Sequence, residues 1–198
     1  MEPRQVFKAY EPVSSAQQAN FCLVCGSELH DFADTDRTRR ACRSCGFVYY
    51  SNPAPAVAVL VVDDDRFVLC RRRSRAFAGE KWCLPCGYVE YDEGFLTAAV
   101  REVREESGLA VEITAVLSVA SNFLAPNVHT VVTVLLARCL GGTLRAGDDI
   151  DLARWFRAGD SLPELAFEAD RHIIERYFAT RIAGAPVDPV YGGGAVTP

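Results

Sequence analysis

Residues 57–62, Val-Ala-Val-Leu-Val-Val, form a continuous apolar and largely β-branched run, the pattern of a strand buried on both faces. Asp63-Asp64-Asp65 breaks the run as a turn, and Phe67–Cys70 begins a return strand, so the pair predicts a hairpin. The period then changes. Leu96, Ala99, Val100 and Val103 recur at helical spacing and form one apolar stripe, and Gly108 supplies the left-handed residue that ends such a helix. Val111–Ala120 and Thr130–Cys139 read as strands, with a loop over Ser121–His129 between them. Gly141-Gly142 reads as a turn and Trp155-Phe156 as a further buried edge. Glu168–Arg181 closes the pattern as an amphipathic helix with Ile173, Tyr177 and Phe178 inward.

This patterned region is expected to span residues 56–182. Three other segments flank it: a polar arm over 1–20, a small module over 21–50, and a Gly- and Pro-rich tail over 183–198 that is expected to be disordered. Ser51-Asn-Pro-Ala-Pro-Ala joins the module to the main region as a proline-stiffened linker. With 198 residues, 49% of them apolar, the chain can bury one sizeable core beside a small appendage. No run of 18 apolar residues appears, so no membrane partner is expected. No apolar signal region is visible near Met1, so the expected compartment is the cytoplasm. A net charge of −5 argues against a nucleic-acid scaffold but leaves nucleotides open, because metal ions can carry the positive charge.

The module carries the sharper chemistry. Cys22-Leu-Val-Cys25-Gly and Cys42-Arg-Ser-Cys45-Gly are two copies of one device, separated by sixteen residues. A two-residue spacer lets both sulfurs aim at one ion, and the glycine allows the tight turn behind them. Four thiolates select Zn²⁺ over Mg²⁺ or Ca²⁺, so a structural zinc is expected at Cys22, Cys25, Cys42 and Cys45. So little apolar mass implies that the metal supplies most of the module's stability. Packing or dimerisation is its expected role. Cys83 and Cys86 form another pair, but strand alternation would point residues three apart to opposite sides, which argues against a functional dithiol.

On the predicted helix Glu102, Glu105 and Glu106 stand at i, i+3 and i+4, which puts three carboxylates on one side, facing an open cleft. Like charges at that spacing repel, and a hard divalent cation reverses the sign. The whole stretch fits G-x5-E-x7-R-E-U-x-E-E-x-G-U, where U is a bulky aliphatic: Gly87, Glu93, Arg101, Glu102, Val103, Glu105, Glu106, Gly108 and Leu109 fill each fixed place. In this the chain resembles the Nudix hydrolases, over roughly Phe21 to Phe178.

The resemblance implies an α/β (α+β) fold, an α/β/α sandwich with a mixed sheet, here preceded by a small zinc ribbon. It implies a catalytic set of Glu102, Glu105 and Glu106 binding Mg²⁺ or Mn²⁺, with Arg101 orienting Glu105 by an ion pair. Glu93 is expected to add a ligand through water, and Glu90 is a further candidate. The general base stays open between Glu105 or Glu106 and a carboxylate from a later loop, Asp149 or Glu164. Of the run Arg71, Arg72, Arg73 and Arg75, Arg72 is the expected phosphate ligand, because it ends its strand. Phe123 could stack on a base and His129 reach a phosphate. Relatives are commonly homodimers.

A ribbon before such a domain resembles two subgroups. The NADH pyrophosphatases carry a Ser-Gln-Pro-Trp-Pro-Phe-Pro run that is absent from this sequence. Pyrophosphatases of ADP-ribose or FAD share Asn52-Pro53, Leu69 to Arg72 and a Pro126…His129 loop. The expected reaction is therefore Mg²⁺-dependent cleavage of the pyrophosphate in ADP-ribose, or in a dinucleotide such as FAD or NADH, releasing AMP. Two other readings stay open: a hydrolase that sanitises oxidised nucleoside triphosphates, and a non-catalytic nucleotide-sensing module.

Overall fold

The computed structural model describes residues 5–9, 19–35, 37–126 and 128–188. Its strands and helices, in chain order, are β1 (Val6–Lys8), β2 (Leu29–Asp34), β3 (Arg37–Cys42), β4 (Val48–Tyr49), β5 (Ala54–Asp63), β6 (Arg66–Arg72), β7 (Trp82–Cys83), β8 (Cys86–Tyr88), α1 (Phe95–Ser107), β9 (Leu109–Ala125), β10 (Val128–Gly142), β11 (Ile150–Arg157), α2 (Glu168–Thr180) and β12 (Ala185–Pro186).

The alternation within β5 sets the architecture. Val57, Val59 and Val61 share one core cluster with Ala98, Ala99 and Val103 of α1. Ala56, Ala58 and Leu60 share the other with Ala169, Ile173 and Ile174 of α2. Successive residues of a strand point to opposite faces, so each helix covers one face of the sheet. A strand covered on both sides has no polar face to keep wet, which is why residues 57–62 are apolar without interruption. Burying each Val or Leu side chain contributes about 1.5–3 kcal/mol.

Among the described residues the large sheet has nine strands. Its main path is β1-β9-β10-β5-β6-β11, with β7 beside β6, β8 beside β5 and β12 beside β9. Asp64, at φ 55°, turns β5 into β6. Gly108, at φ 70°, ends α1, and its N–H donates to the Arg104 carbonyl at 2.9 Å. A Cβ on Gly108 would lie 2.7 Å from the Thr143 carbonyl oxygen, so the turn needs glycine for space as well as for φ.

The chain forms two compact units. One holds β5–β8, both helices, β11, β12 and most of β9 and β10; the other holds β2–β4 and the hairpin tip at Phe123–His129. In the second unit β2, β3 and β4 make a three-stranded antiparallel sheet, with Leu29 opposite Cys42 and Asp34 opposite Arg37. Among the described residues its buried cluster is Cys22, Leu29 and Cys42, with Ala19, Phe47 and Tyr49 against it. Arg39 pairs with Asp34 at 2.6 Å and Arg40 with Asp31 at 2.9 Å, so two of its arginines are occupied by its own aspartates.

Several element-level expectations are changed or refined. The arm over 1–20 contributes an edge strand: β1 lies beside β9 and Phe7 is buried; residues 1–4 and 10–18 lie outside the described residues. The linker ends early, because β5 begins at Ala54, and the Pro55 carbonyl accepts from Val89 N–H at 3.2 Å. The expected loop over Ser121–His129 is mostly strand, since β9 runs to Ala125 and β10 starts at Val128. The expected turn at Gly141-Gly142 is the end of β10.

The tail is ordered at its start. Ala185 lies opposite Val116 in β12–β9 pairing, and Val187 N–H donates to the Thr114 carbonyl at 3.0 Å. Gly184 permits this: a Cβ there would sit 2.1 Å from the Val116 carbonyl oxygen. The rest of the expected tail, 189–198, lies outside the described residues.

Candidate active site and four-cysteine site

Arg101 organises the acidic face of α1. Its Nε donates to Glu93 Oε2 at 3.1 Å and its Nη2 to Glu93 Oε1 at 2.5 Å. Its Nη1 reaches Glu102 at 2.7 Å and Glu105 at 3.1 Å, and Nη2 also donates to the Tyr88 carbonyl at 3.1 Å. One guanidinium thus fixes three glutamates and the end of β8, the use for which its planar fork of donors is suited. The Glu93 carboxyl is held below its usual range, mainly by its hydrogen bond with Arg101.

The three helix carboxylates differ in surroundings. Glu106 is 1% exposed and Glu102 7%, so the expected open cleft is closed over two of the three. Glu105 stays half exposed beside Arg101. Glu106 accepts the Cys86 backbone N–H on Oε2 at 2.9 Å. Burial pushes Glu106 well above the usual carboxylate range, against that hydrogen bond. Burial also pushes Glu102 up, against Arg101. A carboxylate taken out of water costs several kcal/mol unless a proton or a cation compensates it. Two such groups, one turn apart on one helix, suit a hard divalent cation with oxygen ligands.

Close backbone approach makes this possible. A Cβ on Gly87 would lie 2.1 Å from Glu102 Oε1, so glycine at this place is what lets the carboxylate lie against β8. A Cβ on Gly147 would lie 2.2 Å from the Glu105 carbonyl oxygen, and Gly147 N–H donates to the Glu106 carbonyl at 3.2 Å. The segment before β11 therefore packs directly on the last turns of α1.

A second constellation lies behind Glu106. Arg72 Nη2 pairs with Asp149 at 2.8 Å and its Nε donates to the Phe77 carbonyl at 2.8 Å; its side chain is 13% exposed. Asp170, from the first turn of α2, accepts the Leu84 N–H at 3.0 Å and is 4% exposed. Burial pushes the Asp170 carboxyl up to about 7, despite the Leu84 hydrogen bond and the nearby Arg72 charge. An aspartate in a first turn ordinarily complements the helix dipole at the surface, so nothing in the sequence marked this one as internal.

Other expected site residues are placed as follows. Glu90 is exposed before α1, and its N–H donates to Glu93 Oε1 at 3.0 Å. Glu164 pairs with Lys81 at 2.8 Å. Phe123 and His129 stack on each other in the second unit, ring centroids 3.8 Å apart at 21°. Burial pushes His129 down, and its Nε2 is buried with no hydrogen-bond partner among the described residues.

In the same unit the four sulfurs of Cys22, Cys25, Cys42 and Cys45 lie within 4.8 Å of one another. Cys22 and Cys45 approach to 3.6 Å, Cys25 and Cys42 to 3.5 Å. Tetrahedral thiolates at a metal–sulfur distance of about 2.3 Å are roughly 3.8 Å apart, so the cluster fits one metal ion. Gly26 at φ 73° and Gly46 at φ 78° close the two turns, each donating N–H to the carbonyl of the first cysteine of its pair, at 2.9 and 3.0 Å.

A family model described as NUDIX domain matches residues 52–177. The chain belongs to the NUDIX domain family. It is 36% identical to an ADP-ribose pyrophosphatase of Methanocaldococcus jannaschii over 129 residues, 65% of this chain and 75% of that one. It is 35% identical to an NAD-capped RNA hydrolase NudC of Stutzerimonas stutzeri over 179 residues, 89% of this chain but 61% of that protein. Among solved structures it is similar to a NUDIX hydrolase from Nitrosomonas europaea, with a TM-score of 0.74 and 28% identity over 85% of this chain and 96% of that one. The chain is thus a hydrolase acting on anhydride bonds. No described helix is long and apolar enough to cross a membrane.

Two outcomes follow from this geometry. Gly87→Ala should force Glu102 out of place, lowering turnover about tenfold or more and raising the metal concentration needed for half-maximal rate, with little change in Tm. Unchanged metal dependence in a titration would contradict the packing argument. The second concerns Asp170, whose carboxyl is ordinarily near 3.8 and is raised here to about 7. The folded state keeps a proton that the unfolded chain releases, so stability falls as pH rises from about 4 to about 7. Asp170→Asn keeps an acceptor for Leu84 and should flatten that fall in metal-free protein; denaturant midpoints across this range that keep the wild-type slope would exclude it.

Proposed function

We propose that the chain hydrolyses the pyrophosphate bond of a nucleoside diphosphate joined to another moiety, with ADP-ribose or a dinucleotide such as FAD or NADH as substrate and AMP as a product. The observation that carries this reading is the pair of buried carboxylates, Glu102 and Glu106, on one side of α1 in a NUDIX domain. Glu102 and Glu106 would hold Mg²⁺ or Mn²⁺, with Glu105 completing the set. The cation, when bound, neutralises phosphate oxygens and makes its water more acidic.

The chain's own residues then do the positioning. Arg101 acts on Glu102 and Glu105 without touching substrate. Both Glu93 oxygens accept from Arg101, so Glu93 would fix that guanidinium. Arg72 and Asp149 are a bonded pair; a phosphate that engages Arg72 must share it with Asp149 or release that carboxylate. Phe123 and His129 stack on each other within the small unit. The substrate class follows the ADP-ribose pyrophosphatase relative; the NudC relatives add NAD-capped RNA to the substrates worth testing. Zn²⁺ in the four-cysteine site would hold the small unit together, since its core of Cys22, Leu29 and Cys42 is too small to do so.

A panel of ADP-ribose, FAD, NADH, NAD-capped RNA and dGTP, with products identified, tests the reading. AMP from ADP-ribose or a dinucleotide is expected; pyrophosphate from dGTP alone would replace it with triphosphate sanitising. Glu106→Gln keeps an acceptor for the Cys86 N–H but loses the charge, and should lower turnover at least about a hundredfold at saturating Mg²⁺ with the fold retained. Near-wild-type rates would count against the assignment. Elemental analysis should find one zinc per chain, lost in Cys42→Ser together with the protection of residues 19–50 from proteolysis; a zinc-free native protein with that segment intact would refute the structural role.

A further inference from the structure

Asp170 takes no part in the chemistry above, yet it is a carboxylic acid on the sheet-facing stripe of α2. It is 4% exposed, beside buried Ala169, Ile173 and Ile174. An apolar side chain would fill such a place without taking a polar group out of water. What Asp170 meets is a backbone donor: its Oδ2 accepts the Leu84 N–H at 3.0 Å. Leu84 is fully buried and lies between β7 and β8, outside both strands, so the carboxyl does for that N–H what a ladder partner would do within a sheet. The start of α2 is fixed over this segment. Trp82 N–H donates to the Glu164 carbonyl at 2.9 Å, and Ala166 N–H donates to the Trp82 carbonyl at 2.7 Å. Asp170 is therefore a fixed anchor for Leu84.

Leu84-Pro85-Cys86 is held at each of its residues. Leu84 is held by Asp170 of α2. The Pro85 carbonyl accepts the Val59 N–H of β5 at 2.9 Å. The Cys86 N–H donates to Glu106 Oε2 of α1 at 2.9 Å. The two helices lie on opposite faces of the sheet, and here a carboxyl from each takes an N–H from residues two apart. Pro85 has a fixed φ, so the segment has little freedom to absorb a shift of Leu84 before it reaches Cys86. Gly87 follows directly, where the absence of a Cβ makes room for Glu102. The anchored segment thus leads into the point where both buried carboxylates of α1 rest on β8.

We propose that Asp170 is a positioning residue: by holding the Leu84 N–H it fixes the Cys86 N–H, and through it sets the Glu106 carboxylate for a divalent cation. The last step rests on the metal-binding reading of Glu106; the hold on Cys86 does not. Asp170 touches neither cation nor substrate. What it supplies is an acceptor oxygen in a fixed place, so asparagine can replace it and alanine or leucine cannot. Groups that orient a metal's ligands from behind change metal affinity or activity by about 10–100-fold when lost. A residue that only stabilised α2 would act through overall stability instead. Ile173→Ala is the control, because it truncates a buried neighbour on the same stripe and leaves the Leu84 N–H with its acceptor.

The test measures Mn²⁺ binding to the full chain by calorimetry and, in metal-free protein, exchange of the Cys86 amide by NMR. Asp170→Ala should bind Mn²⁺ about tenfold or more weakly and exchange the Cys86 amide about tenfold or more faster. Asp170→Asn and Ile173→Ala should both stay within about twofold of wild type. Unchanged Mn²⁺ affinity in Asp170→Ala overturns the proposal. So does an equal loss in Ile173→Ala, which would reduce the effect to stability, or in Asp170→Asn, which would make charge rather than the acceptor decisive. If Asp170→Ala does not fold, Asp170→Leu, which fills the space without an acceptor, takes its place. If neither folds, wild-type exchange decides: Leu84 and Cys86 amides opening with one free energy support the hold, and Cys86 opening while Leu84 stays protected overturns it. Should the wild-type chain bind no Mn²⁺ and cleave no member of the substrate panel, the metal reading of Glu106 falls separately, and Cys86 exchange still decides the hold by Asp170.

Discussion

A carboxylate buried on a helix must be met by positive charge or by a proton, and much of this domain can be read as a response to that constraint. Glu102 and Glu106 are both withdrawn from water one turn apart. Arg101 alone cannot compensate them, because its donors are divided among Glu93, Glu102, Glu105 and the Tyr88 carbonyl. Burial raises both carboxyls, and neighbouring carboxylates add to the rise. A divalent cation removes this penalty, and the same ion is what a pyrophosphate needs before water can attack it. On the proposed function, fold stability and catalysis would be linked through the same two side chains.

The scaffold serves this by close approach. β5 is apolar on both faces because a helix lies on each, and α1 can then lie on one face with its acidic side toward β8. Gly87 and Gly147 keep side-chain atoms out of the way where the backbone of β8 and of the segment before β11 comes against α1. Cys86 donates its N–H from the strand side. Each of these contacts crosses between elements far apart in sequence, so the site exists only in the folded chain.

Much of this was legible beforehand, and the exceptions have physical reasons. Glu102, Glu105, Glu106 and Gly108 declare themselves by spacing, because a helix converts i, i+3 and i+4 into one face. The hairpin at Asp63–Asp65 and the helix over Glu168–Thr180 follow from simple periodicity. The reach of Arg101 back to both oxygens of Glu93 depends on the fold of the loop before α1, which has no period to read. Asp170 carries no mark in the sequence, because its one side-chain hydrogen bond shown is to the Leu84 N–H, 86 residues away. Ser121–His129 read as a loop between two strands, but the stack of Phe123 on His129 joins the two strand ends.

The position of the cation tests the central claim most directly. Anomalous diffraction from crystals of this chain grown with Mn²⁺ and a non-hydrolysable ADP-ribose analogue would locate it. A manganese peak is predicted within about 2.0–2.4 Å of carboxylate oxygens of Glu102 and Glu106, with the analogue's phosphates completing the shell. A peak elsewhere, or none, with Glu102 and Glu106 still buried and unliganded, would contradict the account.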